Sequence, residues 1–175
     1  DVLGTLKPVL EDTSVLKIGQ NIKYDTKVLL NYGIEIFPIE DTMLLSYAMN
    51  GGLHNHGLDH LSERYLDHTA LSIKDLIGRG KSAITFDQVS IEKATGYAAE
   101  DADITLRLWK KFKPQLHQKQ VTAVYETLER PLVLILAKME RAGILVEREQ
   151  LKIMSNQFAK KIQELETEIF IISGE

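Results

Sequence analysis

The arrangement of short strand-like segments and helices along the chain constrains its fold more than any other feature. Before residue 120 the two alternate and are punctuated by glycine; after it the pattern is helical throughout. Residues 15–18, Val-Leu-Lys-Ile, alternate and stop at Gly19, which predicts a strand. A helix is expected from about Asn21 to Tyr32 with Gly33 in the C-terminal stop position. Residues 34–37, Ile-Glu-Ile-Phe, predict a second strand bounded by Pro38, and Asp41 reads as the N-cap of a helix to Met49. Helices are further expected at 2–10, around Pro8, and at 58–66, with a turn at 73–77. A long helix runs from Ser90 to about Leu116, with Pro114 marking its decay. Another runs from 122 to 142, interrupted at Pro131 and stopped by Gly143. The last helix carries Leu151, Met154, Phe158, Ile162, Leu165 and Ile169 in steps of three and four, a stripe that calls for a partner surface. The reading is α/β for residues 1–120, followed by an all-helical extension, 121–175, that opens a different domain.

Composition narrows the function classes. The 175 residues are 44% hydrophobic and 26% charged, with no cysteine, so thiolate chemistry and disulfides are excluded. The densest apolar run, 132–137, is far short of a membrane span, and the N-terminus has no signal-peptide pattern; a soluble, cytoplasmic protein with no membrane contact is expected. The formal net charge of -4 disfavours a generic electrostatic binder of nucleic acid. The chain lacks an initiator Met and opens within a helix pattern, the expectation for a piece of a longer protein.

Two carboxylates stand out. Asp101 shares its helix face with Tyr97, Ala98, Ile104, Thr105 and Leu108, where burial is costly unless the charge is paired, protonated or bound to a cation. Asp103, by contrast, has Arg107 four residues on and is an ordinary surface pair. Asp25 falls between Asn21, Ile22, Val28 and Leu29, again on the side expected to pack. Taken singly, Asp101 reads as a partly exposed helix carboxylate and Asp25 as a charge favoured by its helix dipole. Taken together they suggest a shared hard cation of the kind that phosphodiester hydrolysis uses, with Tyr97 one turn from Asp101 to orient water. Two aspartates alone leave such a site short of ligands.

The runs Gly19-Gln20-Asn21-Ile22-Lys23-Tyr24-Asp25 and Tyr97-Ala98-Ala99-Glu100-Asp101-Ala102-Asp103 resemble two signature motifs of the 3′–5′ proofreading exonuclease domain of bacterial family A DNA polymerases. Similar text lies at Asp41-Thr42-Met43-Leu44, at Leu58-Asp59-His60-Leu61, and past Glu129-Arg130-Pro131, where it resembles the passage into a polymerase thumb. The resemblance implies a ribonuclease H-like (DEDD exonuclease) domain and release of nucleoside 5′-monophosphates from a DNA 3′ end. It also implies two Mg²⁺ or Mn²⁺ ions, with Asp101 and Asp25 as metal ligands and Tyr97 positioning the water. Gln20, Asn21 and Tyr24 would touch the single-stranded 3′ end. The family's first motif, a strand bearing Asp-x-Glu, is absent; Glu147-Arg148-Glu149 opens a polar helix and is explained by dipole and solvent. The expectation is therefore a domain truncated at its N-terminal strands, inactive or feebly active apart from the rest of a polymerase chain. An RNase D-like enzyme acting on RNA and a degenerate DNA-positioning module are the alternatives. Where some relatives carry a base-contacting aromatic, this chain has Ile73.

Other candidates have bland readings. His56 and His60 lack the glutamate of a zincin motif. Gly80-Lys81-Ser82 has no glycine at the place a phosphate-binding loop needs and reads as a solvated turn. Lys110, Lys111 and Lys113 occupy a last helical turn, where cations are favoured.

Overall fold

The computed structural model describes residues 2–80 and 83–174; the turn expected at Lys81 and Ser82 lies outside them. The chain divides into two compact units, Asp1–Arg141 and Ala142–Glu175. The first holds α1 (Val2–Glu11), β1 (Lys17–Gly19), α2 (Ile22–Leu30), β2 (Ile39–Asp41), α3 (Thr42–Asn50), α4 (Leu58–Leu66) and α5 (Ile73–Ile77). A 3₁₀ turn (Phe86–Gln88), α6 (Ile91–Phe112), α7 (Gln115–Gln118), α8 (Thr122–Val124), a π turn (Tyr125–Glu129) and α9 (Arg130–Ala142) complete it. The described residues are mostly helical, with one parallel two-stranded sheet in which Lys17 faces Ile39 and Gly19 faces Asp41.

Local chemistry sets these boundaries. Gly33 takes φ 68° and ends α2: its N–H donates to Leu30 O and that of Ile34 to Leu29 O, the two bonds of a Schellman cap. Asp41 caps α3 by accepting from the N–H groups of Met43 and Leu44. The second strand differs from expectation: it is residues 39–41, not 34–37. The side chains of Ile34 and Ile36 are buried, which accounts for their alternation, but pairing begins only where Lys17 N–H reaches the Pro38 carbonyl at 3.0 Å. The long helix ends at Phe112 rather than Leu116, because Pro114 has no N–H to continue it. The interruption expected at Pro131 is the π turn just before it, closed by Arg130 N–H donating to Tyr125 O.

Two apolar clusters form the core. Leu45, Leu61, Ile104, Leu108, Phe112, Leu116 and Tyr125 make one; Ile22, Ile34, Ile36, Ile39 and Val133 make the other. The change to an all-helical pattern falls near residue 120, yet Tyr125 and Val133 pack with the α/β segment, and the division between units falls at 141/142. The second unit carries α10 (Arg148–Ser173), with Gly174 as its left-handed C-cap and no buried residue. Its stripe residues Leu151, Phe158, Ile162 and Ile169 are all exposed. No helix among the described residues is long and apolar enough to cross a membrane.

A buried acid ties the sheet to the later helices. The Glu40 side chain is 2% exposed. Its Oε1 meets Lys113 Nζ at 2.6 Å and Arg130 Nη1 at 2.9 Å, while its Oε2 accepts from Tyr125 OH at 2.9 Å and Trp109 Nε1 at 3.3 Å. Glu126 bridges the same two cations at 2.6 and 2.7 Å.

Gly19 is held to glycine by the turn from β1 into α2. A Cβ there would stand 2.9 Å from both Cβ and Cγ1 of the buried Ile22. Gly19→Ala should therefore cost about 1–3 kcal/mol in urea melts through forced displacement of Ile22. An unchanged midpoint would show that the turn relaxes freely.

Candidate active site

The C-terminal end of β1, the first turns of α2 and α4, and the middle of α6 enclose an open pocket of about 440 Å³. Ligand crevices of parallel sheets form at this end of the strands. Gly19 at the end of β1 and Gln20 just after it line it, with Asp25 from α2, Asp59 from α4, and Tyr97, Asp101 and Thr105 from α6. The structure thus gathers three residues singled out in the sequence, Asp25 from α2 and Tyr97 and Asp101 from α6.

On α6, Ile104, Thr105 and Leu108 are buried and orient the helix, which leaves Asp101 half-buried at the pocket wall. Burial pushes the Asp101 carboxyl above its usual range, and the negative charges of Asp59 and Glu100 add to this; hydrogen bonding to the Tyr97 phenol pulls it back. The Tyr97 phenol is itself pushed up to about 12, by burial first and then by Asp101, so it keeps its proton and remains a donor. Glu100, adjacent to Asp101, fastens the preceding loop: it accepts from Leu71 N–H and pairs with His68 Nε2, each at 2.8 Å.

Asp25 is placed differently from expectation. On α2 the buried residues are Ile22 and Thr26, and Asp25, one step round the helix, is exposed at the pocket rim. Desolvation by the protein around it still pushes its carboxyl upward, against its own backbone N–H. Asp59 is the pocket residue that sequence reasoning missed as a site member. An acid in the first turn of a helix has an ordinary explanation, and nothing local to α4 reveals Tyr97 and Asp101 across from it.

The three residues expected at the 3′ end diverge. Gln20 lines the pocket with its amide committed at both ends, donating to His56 O at 2.8 Å and accepting from the Thr42 hydroxyl at 2.5 Å. Asn21, at φ 56°, lines a separate pocket of about 170 Å³ beside Lys23 and Met43. Tyr24 is 66% exposed on α2 and lines neither. Ile73 is partly exposed on α5, and Phe86 meets the Tyr97 ring edge-on at 6.1 Å.

Among the described residues no three His, Asp or Glu side chains converge so as to hold one metal ion. His54, His56 and His60 pack their rings 4.8–5.5 Å apart with His56 and His60 Nε2 buried and unpartnered, a packed loop rather than a ligand set. Lys113 is committed to Glu40 and Glu126, and Lys111 donates to Tyr65 O, so these lysines form no free basic patch.

A family model described as 3′–5′ exonuclease matches residues 1–117. The whole chain is similar to DNA polymerase I of Rhizobium leguminosarum at 51% identity, and 99% of it to DNA polymerase I of Pseudomonas aeruginosa at 40%. DNA polymerase I of Treponema pallidum is similar at 31% identity, again over 99% of the chain. The chain spans 17%, 20% and 17% of the lengths of these three relatives.

Proposed function

Because the chain belongs to the 3′–5′ exonuclease family, we propose that the pocket between β1, α2, α4 and α6 is its share of a site that hydrolyses 3′-terminal nucleotides of DNA. The observation that carries this reading is the convergence of Asp25, Tyr97 and Asp101 on one pocket at the end of a parallel strand. The donor set fits a hard divalent cation: oxygen ligands only, on carboxyls whose charged forms the protein disfavours until a cation compensates them. A bound Mg²⁺ or Mn²⁺ supplies charge to neutralise the departing oxygen and to acidify water. Asp101 and Asp25 hold it, and the protonated Tyr97 phenol orients water by hydrogen bonding. The fold is the ribonuclease H-like one, and residues 121–175 begin a polymerase thumb. The substrate is a single-stranded 3′ end, gripped near Gln20, Asn21 and Tyr24. The relatives' names favour DNA over RNA.

With no three ligands converging on one ion among the described residues, the chain alone turns over feebly. Single-turnover assays test this, with the chain in large excess over 3′-labelled single-stranded DNA in Mn²⁺. Slow release of labelled 5′-mononucleotide is expected. Cleavage at internal positions overturns the exonuclease reading; rapid multiple turnover by the chain overturns the incomplete site.

A further inference from the structure

Two helices begin on one carboxylate. Asp41 Oδ1 accepts from the N–H groups of Met43 at 2.9 Å and Leu44 at 3.4 Å, at the start of α3, and from that of Asn21 at 3.0 Å. Its Oδ2 accepts from Ile22 N–H at 2.9 Å, the first residue of α2. The side chain that caps its own helix therefore also caps the helix carrying Asp25, beside which the sheet register Gly19–Asp41 places it.

The start of α2 needs such support. Asn21 makes the turn out of β1 in the left-handed region, at φ 56°, and its side chain makes no capping hydrogen bond. The free N–H groups of that first turn would otherwise lack partners. Asp41 is 3% exposed, so water does not substitute for it, and its own N–H is held by Tyr125 OH at 3.2 Å. An amide at this position offers one acceptor oxygen in place of two and turns an N–H toward other N–H groups.

We infer that Asp41 is a positioning residue: it fixes the foot of α2 and thereby the place of Asp25 in the pocket. The inference rests on the exonuclease reading only in taking Asp25 to hold a cation. It assigns Asp41 no contact with cation or DNA.

Mn²⁺ titration of the ¹⁵N-labelled chain tests it, comparing paramagnetic broadening of amides at residues 24–26 with that at residues 100–102. In Asp41→Asn the Mn²⁺ needed for half-broadening should rise about 10-fold at both segments, which share one ion, and at saturation the broadening at 24–26 should weaken relative to that at 100–102, on a helix Asp41 does not cap. Asp41→Ser, which keeps one short acceptor, serves if Asp41→Asn does not fold, with the same expectation. Leu116→Ala, a core truncation remote from α2, should move neither segment selectively. An unchanged midpoint, or an unchanged ratio of broadening between the two segments at saturation, overturns the positioning role and leaves the cation reading intact. Absence of broadening at both segments in the unsubstituted chain overturns the cation reading, and the role of Asp41 falls with it.

Discussion

Replacing Glu40 with alanine should destabilise the first unit by about 3 kcal/mol, read as a loss of urea midpoint at neutral pH. The side chain is interior, and four donors from three later elements end on its two oxygens: Trp109 and Lys113 around the end of α6, Tyr125 in the π turn, and Arg130 at the start of α9. Removal leaves the proton of the fully buried Tyr125 hydroxyl without its acceptor and leaves two cations sharing Glu126 alone. Lys113 and Arg130 keep part of their surface in water, which holds the cost at the lower end of what breaking a buried ion pair brings. Glu40→Gln, retaining the shape and one good acceptor, should cost less. A midpoint unchanged in both variants would mean that the cluster contributes no net stability.

Acid should expose the same cluster. Burial pushes the Glu40 carboxyl up, but Lys113, Tyr125 and Arg130 together bring it below its usual value of 4.5. A carboxyl whose pKa is lower folded than unfolded contributes stability that is full above the unfolded value and is lost as pH falls through the folded one. Urea midpoints of the unsubstituted chain should therefore drop below pH 4.5, and Glu40→Gln should flatten that drop while leaving the remaining acid sensitivity in place.

Glu40 also shows where reading the sequence stops. Asp41 announces itself, because an acid before an apolar helix pattern is a cap, and Gly33 announces the end of α2 by the same local logic. The bounds of α4 and α5 follow equally from nearby residues. Glu40 lies beside Asp41 with nothing to distinguish it, since its partners are 69 to 90 residues away. The misplaced strand has a related cause. Ile34 and Ile36 alternate because both side chains enter the core, and burial leaves the same period-two signature whether or not the backbone is in a ladder. The π turn is hidden too, because an extra residue per turn over five positions barely disturbs a helical apolar pattern. In the pocket, Tyr97 and Asp101 are legible as an i,i+4 pair on one helix. Asp25 was recognisable as unusual but not as a rim residue, and Asp59 required the third dimension.

Asp101→Ala should slow the single-turnover release of 3′-terminal nucleotide by a factor on the order of 100 or more. It should also abolish Mn²⁺ broadening at residues 100–102. The loss would not come from unfolding. Asp101 is held on α6 by Ile104, Thr105 and Leu108 behind it, none of which depends on the carboxylate for its packing. Burial and the neighbouring charges of Asp59 and Glu100 disfavour its ionised form, so at neutral pH the folded chain carries this charge at a disadvantage. Removing it should leave the thermal midpoint unchanged or slightly raised, the pattern expected where a residue is retained for chemistry at the expense of stability. Tyr97→Phe supplies the graded comparison: it keeps the ring against Phe86 but removes the hydroxyl that donates toward Asp101, and should slow release less than Asp101→Ala while retaining Mn²⁺ broadening. If Asp101→Ala releases nucleotide at the unsubstituted rate with its fold intact, the pocket is not the site of hydrolysis. If it melts markedly lower, the carboxylate is structural and the loss of release is a loss of fold.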